Sequence, residues 1–313
     1  SGHRLVSRTA AEILKEGGNA FDAIVAAGFA SSVVEPALTS LGGGGFLLGR
    51  SERHGQELFF DFFVDTPGAE RDTSDLLPDF FPVTVRFSGS EQDFNIGLGS
   101  VAVPGTLKGL IHVQERLGRM SLRDVLVPAI ELASGHSLND RQAHFLKLLY
   151  PIMTLTAEGR GLYEPGGVYV APGTILKNPD CARFLEQLAE DKGADFYLGE
   201  TAASIHRDME EGRGLLTRKD LSRYRVHERA PLKVPYRGLS LVTSPEPSMG
   251  GTLIALSISL MEKLGAEEQE WGSGDHLSRV VSLMQEVEEL RRGGITTPAR
   301  LKEFLAEEKE YME

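Results

Sequence analysis

The residue types that make and break bonds are present in this chain, but few stand at spacings that would let them act together. Eight histidines are scattered through 313 residues. There is no His-Glu-x-x-His, and no histidine pair stands at metal-ligand spacing beside a carboxylate cluster. The phosphate-cradling Gly-x4-Gly-Lys-Ser/Thr is missing, as is the Gly-x-Ser-x-Gly elbow of serine hydrolases. Gly97-Leu-Gly99 lacks the third glycine of a dinucleotide fingerprint. The single Cys181 excludes an intrachain disulfide and reads as a small buried or half-exposed side chain. Thr296-Thr297 could be taken for a hydroxyl nucleophile pair. Pro298 follows it, however, and Thr297 reads instead as the cap of a short helix. No motif calls for a metal or a cofactor.

Two glycine-rich turns remain. Four consecutive glycines, Gly42–Gly45, can take backbone angles closed to other residues and let another segment come very close. They read either as a tight lead into a strand crossed by a helix, or as a wall of a cleft. Ser248–Gly251 precedes a helix, whose N-terminus either favours an anion or simply packs tightly.

The elements that must hold these turns are mostly helices. Thr9 and Glu12 have capping-box spacing, with Ile13 and Leu14 following and Gly17-Gly18 ending that helix. Asn19 caps the next, with Asp22 in its first turn. Its small residues, Ala20 to Ala30, predict burial against a sheet, and Pro36 stops it. Gly45–Gly49 and Glu57–Val64 read as two strands of a hairpin turning in Ser51–Gln56. Ala69–Asn95 reads as irregular, with at most one strand at Val83–Phe87.

Helices are then expected to about Leu117 and from Ser121 to Ser134, where Pro128 should kink or end the first segment. Others are expected at Asn139–Leu149, Cys181–Asp191, Ala202–Glu211 and Thr217–Tyr224. Leu232–Val234 and Leu239–Thr243 read as strands around Tyr236-Arg-Gly238. Gly250-Gly251 opens an apolar helix to Leu264, and His276–Tyr311 is helical with a break at Gly293-Gly294. About six strands against about ten helices leave apolar faces uncovered. A second polypeptide completing the sheet would cover them.

Composition sets outer limits. A net charge of −12 argues against binding to a nucleic-acid backbone. The one basic cluster, Arg218–Arg229, is interleaved with Asp220 and Glu228 and reads as solvated surface. The longest apolar stretch, Ala23–Val34, is too short and too polar to span a membrane. The chain reads as a single domain over residues 1–313. Its compartment stays open between cytoplasm and periplasm or exterior.

Six blocks in order resemble the large subunit of the gamma-glutamyltransferase family. They begin with Lys15-Glu-Gly-Gly-Asn-Ala20 and Leu41-Gly-Gly-Gly-Gly-Phe46. Ser100-Val-Ala-Val-Pro-Gly-Thr106 and Leu126-Val-Pro-Ala-Ile130 follow. Phe196-Tyr-Leu-Gly-Glu200 with Gly214–Leu221 and Tyr224 comes next, and Tyr236-Arg-Gly with Ser244–Gly251 is the last. The resemblance implies an α+β fold, a four-layer αββα sandwich of the N-terminal nucleophile hydrolases, whose sheets are completed by a small subunit from the same precursor. It implies self-cleavage before a threonine. That residue's hydroxyl is the nucleophile and its free amine the general base in acyl transfer from a small-molecule amide. The glycine amides of the oxyanion site would also come from the small subunit, so no catalytic residue is expected in this chain.

One departure bears on substrate. Members that use gamma-glutamyl groups place an arginine after an Asp-Phe pair on the second strand, where it clamps the substrate carboxylate. Here Asp61-Phe62 is followed by Phe63, and Asp65 lies close by. A guanidinium grips a carboxylate bidentately; phenylalanine does not, and Asp65 repels it. The expectation is therefore an acyl or glutaryl-type amide, as in the related cephalosporin acylases, in place of glutathione, with Asp61, Phe63 and Asp65 beside the substrate. The alternatives are that Phe63 only fills the sheet as a core aromatic, and that the protein is an inactive family member with a binding or structural role.

Overall fold

The computed structural model describes residues 1–52, 55–68, 71, 76–264 and 269–310, with the backbone alone at 263–264 and 307–310. The chain begins with α1 (Arg4–Lys15), α2 (Ala20–Val34), β1 (Gly45–Ser51), β2 (Gln56–Phe62), β3 (Phe81–Arg86) and β4 (Glu91–Ile96). Next come α3 (Thr106–Leu117), α4 (Leu122–Ser134), the short β5 (His136–Ser137), α5 (Asp140–Leu148), α6 (Tyr150–Met153) and α7 (Ala157–Tyr163). β6 (Ile175–Leu176) leads to α8 (Pro179–Asp191), α9 (Ala194–Leu198), α10 (Glu200–Glu211) and α11 (Arg218–Arg223). The last elements are β7 (His227–Arg229), β8 (Leu232–Tyr236), β9 (Leu239–Thr243), α12 (Met249–Leu264), α13 (Gly274–Arg292) and α14 (Pro298–Glu310). They form two compact units: Ser1–Gly45 with Phe62–Val226, and Phe46–Asp61 with His227–Glu313.

The first unit is built around α2. The Asn19 side chain accepts the amides of Phe21 and Asp22, and the Asp22 carboxylate accepts the Asn19 amide, a reciprocal capping box. Val25, Ala26, Phe29, Ala30 and Val34 are fully buried, as expected of a helix apolar all round. Among the described residues helices, and not the expected sheet, are the main partners of α2. It packs on α1, α3 and α4, and a Cβ at Gly28 would lie 2.9 Å from Leu110 of α3. The buried Asp22 carboxylate also accepts Gln114 Nε2 and the amides of Arg119 and Met120, which ties α2 to the α3–α4 turn.

Three local expectations are corrected here. α1 starts at Arg4, where His3 Nδ1 accepts the Leu5 amide; Thr9 is buried inside the helix and caps nothing. α4 continues past Pro128 from its Ser121 cap, so the proline does not end the helix. Residues 81–96 form a hairpin, not one strand, with the Phe87 amide donating to Ser90 O at 2.8 Å across the turn. The polar Glu91-Gln-Asp93 of β4 hides its strand character, because its pairing with β3 supplies what its own pattern lacks. A small core of Leu138, Leu146, Tyr163, Val170 and Leu176 organises the segment around β5 and β6.

In the second unit, β2 sits between β1 and β7, and it pairs antiparallel with β7 in the register Phe59–Arg229, Phe60–Glu228 and Asp61–His227. β8 and β9 form the expected hairpin. Arg237 and Gly238 at its turn have φ of 48° and 79°, the left-handed pair that suits right-twisted strands. Ala255, Leu256, Leu260, Leu283 and Leu301 join α12, α13 and α14 in one core. At the start of α12 a Cβ on Gly251 would lie 1.8 Å from Ser244 O, so this glycine serves close packing. Thr297 caps α14, as its spacing to Pro298 predicts: its hydroxyl accepts the Arg300 amide and its carbonyl the Leu301 amide. Residues 53–54 of the expected hairpin turn, 69–70 and 72–75 of the expected loop, and Tyr311 of the expected tail lie outside the described residues. Among the described residues no helix is long and apolar enough to cross a membrane.

Candidate functional site

The segment following β2 carries two of the three expected substrate residues, and glycines decide how it lies. In the first unit the buried Phe62 ring fills a gap in α3 left by Gly109, where a Cβ would sit 2.1 Å from the ring. The ring's Cε2 edge meets Gly45 at 3.0 Å by the same measure. A Cβ at Gly44 would lie 2.5 Å from Val64 N, and one at Gly105 would lie 2.1 Å from Phe62 O. Gly44 and Gly105 thus make room for the backbone of residues 62–64, and Gly45 and Gly109 for the Phe62 ring. Gly43 O accepts the amides of both Gly105 and Thr106, so the loop backbone caps α3 where no side chain does. These are the contacts of close packing, the first of the two readings of this loop.

With Phe62 turned inward, Phe63 is turned out and is 51% exposed. Within this chain it is not a core aromatic. Asp65 is exposed as well. The backbone beneath them is held at three points. Phe63 O accepts the Tyr224 hydroxyl at 2.8 Å, Asp65 O accepts the Val103 amide at 2.9 Å, and the Gly68 amide donates to Asp220 Oδ2 at 2.9 Å. Asp220 Oδ2 also accepts the Thr217 amide and hydroxyl in a capping box that starts α11. Sequence reasoning placed Asp220 at capping distance from Thr217 within a run read as solvated surface, without its bond to Gly68, and gave Tyr224 no role. The signal was present in the Thr217–Asp220 spacing and in the tyrosine that ends the block.

Behind the segment two tyrosines stack, Tyr197 on Tyr224, with ring centroids 6.2 Å apart. The Tyr197 hydroxyl donates to Pro104 O and accepts the Lys108 amide. Lys108 Nζ lies 4.6 Å over the Tyr197 ring and donates to Tyr224 O. Burial pushes the Tyr197 hydroxyl well above its ordinary range, so it stays a donor. Burial also lowers the Lys108 ammonium, with Arg225 adding to the effect.

Asp61, the third expected residue, belongs to the second unit. It is 4% exposed, and Arg229 Nε lies 2.7 Å from its Oδ2. Arg229 is therefore not part of a merely solvated cluster, which corrects the reading of that run.

Elsewhere, His136, Tyr163 and Cys181 line a cavity of about 40 Å³. His136 Nδ1 bonds Leu132 O, while its buried Nε2 has no hydrogen-bond partner. Burial lowers the His136 pKa and raises the Cys181 thiol, the reverse of what an activated thiolate needs. Among the described residues no group of three His, Cys, Asp or Glu side chains could hold a metal.

A sequence profile of the gamma-glutamyltranspeptidase family matches residues 6–306. The chain is 34% identical over 266 residues to the glutathione hydrolase proenzyme of Escherichia coli (strain K12), which covers 84% of this chain and 44% of that protein. It is 31% identical over 283 residues to the Acylase ACY 1 proenzyme of Pseudomonas sp. (strain V22), covering 87% of this chain and 49% of that one. It superposes on the crystal structure of Helicobacter pylori gamma-glutamyltranspeptidase with a TM-score of 0.81 at 28% identity, spanning 95% of this chain and 85% of the other. The chain spans about half the length of the curated relatives it matches. On the profile match and these identities, which agree with the sequence blocks and the mixed α/β fold, this chain belongs to the gamma-glutamyltranspeptidase family.

Proposed function

We propose that this chain is the large-subunit portion, one domain, of an amide hydrolase or acyltransferase in which it supplies scaffold and pocket. A small subunit cut from the same precursor supplies a threonine nucleophile and completes a four-layer αββα sandwich. What supports this is the pattern of lengths. The chain covers about half of proteins named proenzymes, yet 85% of a chain in a solved gamma-glutamyltranspeptidase. Expression of the complete precursor tests it: two bands on a denaturing gel fit self-cleavage, and one stable band fits the inactive family member.

The substrate reading rests on Phe63. Its side chain is exposed where the resemblance implies a carboxylate-gripping arginine, and the exposed Asp65 adds negative charge. Asp61 anchors the strand through Arg229. The acyl donor is then a group whose carboxylate, if any, is not held at this position, a reading nearer to the acylase among the relatives than to the glutathione hydrolases. A charge-assisted bidentate pair contributes about 1.5–3 kcal/mol. Phe63→Arg should therefore lower KM for gamma-glutamyl anilide by roughly 10–100-fold and leave butyryl anilide, which has no carboxylate, unchanged. Equal effects on both would refute the assignment.

A further inference from the structure

The exposed pair Phe63 and Asp65 sits on a backbone that α11 and the Pro104–Gly105 turn hold from behind, and the bonds involved are unlike ordinary strand pairing. β2 ends at Phe62. Beyond it the ladder no longer fixes the chain, and each tie is of a different chemical kind. The first is a buried tyrosine hydroxyl on the Phe63 carbonyl, the second an isolated bridge from Asp65 to Val103, the third a carboxylate on the Gly68 amide. Two of the three come from one short helix and its C-terminal residue. Tyr224 is 2% exposed, and its ring is pressed by Tyr197 on one side, while its own carbonyl is occupied by Lys108 Nζ. Its hydroxyl therefore has one position to offer, and the Phe63 peptide is registered to it. A Cβ on Gly105 would lie 2.4 Å from that same hydroxyl, so the turn before α3 leaves it no room to move toward the helix.

We infer that Asp220 and Tyr224 are positioning residues: they clamp residues 63–68 so that the side chains at 63 and 65 stand in one place and set which acyl group the site accepts. This rests on the reading of Phe63 as a substrate neighbour. A side chain on an unpaired strand extension can discriminate between acyl groups only if its backbone does not yield, because small displacements at a binding surface erase the difference between related ligands. The clamp acts through the backbone. Tyr224 needs no contact with substrate.

The test uses the complete precursor protein and three anilides: gamma-glutamyl, glutaryl and butyryl. Tyr224→Phe keeps the ring stack and removes only the hydroxyl; Asp220→Asn is the second variant. For each, kcat and KM are measured separately for every anilide, and exchange of the backbone amides in the 64–68 segment (all but Pro67) is followed by mass spectrometry. The expected result is a shift of at least threefold in the ratio of kcat/KM between anilides, carried by KM, with exchange at 64–68 faster by about fivefold or more and the rest of the chain unchanged. Ratios within twofold of the parent in Tyr224→Phe, or unchanged exchange at 64–68, overturn the clamp. Failure of the underlying reading looks different: Phe63→Arg then leaves the anilide ratios unmoved, whatever Tyr224→Phe does to exchange.

Discussion

Replacing Gly105 with alanine isolates the packing of the Val-Pro-Gly-Thr turn. Its backbone angles, φ −112° and ψ −37°, are open to any residue, so the substitution carries no conformational penalty of its own. The cost is steric. The added methyl would meet Phe62 O at 2.1 Å and the Tyr224 hydroxyl at 2.4 Å. Comfortable contact needs roughly 3.5 Å, so both groups lie more than about 1 Å too close. Neither can retreat easily, since one is backbone and the other belongs to a fully buried side chain. Overpacking of this kind costs about 1–3 kcal/mol. If the Tyr224 hydroxyl loses Phe63 O, another ~1 kcal/mol follows.

We therefore expect Gly105→Ala to destabilise the protein by roughly 3 kcal/mol. Gly161→Ala is the matched control: it lies in α7, a methyl there meets nothing within 4 Å, and helix propensity predicts a gain of about 0.5–1 kcal/mol. Urea unfolding followed by far-ultraviolet circular dichroism reads both. A loss below about 1 kcal/mol for Gly105→Ala, or a shift in the same direction for the two variants, would show that the slot is looser than its distances imply.

Two further predictions concern buried charge and pH. Arg229→Leu deprives the buried Asp61 carboxylate of its cation at 2.7 Å and should cost about 2–4 kcal/mol, while Asp61→Asn in the same protein should restore much of the loss; a single variant as stable as the parent would mean that other partners carry Asp61. Burial lowers the pKa of His136 in the folded protein, so below the unfolded value of about 6.5 the unfolded chain binds more protons. Stability should therefore fall as pH drops from 7 to 5, and His136→Gln should flatten that slope in thermal melts; an equal slope in the variant would exclude His136 as its source.

Most elements were legible in the sequence because local signals and tertiary context agree. Asn19, Ser121, Thr217 and Thr297 each announce a helix start, and each side chain accepts the expected amide. The misreadings occur where a distant partner decides. Thr9 and Glu12 have the spacing of a cap, but His3, with Asn139 at its Nε2, starts the helix a turn and a half earlier. β4 opens with three polar residues, Glu91-Gln-Asp93, and its register with β3 makes it a strand. α2 has the small residues of a sheet-facing helix, yet small residues admit any close neighbour, and three helices take the place. At the candidate site, the absence of arginine at position 63 was plain in the text. The outward turn of Phe63 was not, because it follows from Gly109 opening a gap for the neighbouring ring.

The glycine run before β1 also has a consequence for how this protein can vary. Gly43 serves the first amides of α3, Gly44 abuts Val64, and Gly45 abuts the Phe62 ring. Three successive residues thus report to three different neighbours, which makes the run a gauge of fixed length more than a flexible joint. Its composition has some latitude at Gly42, where the nearest neighbour is only a serine hydroxyl. Its count has none: one residue more or fewer would put the start of a helix and the register of a strand out of step.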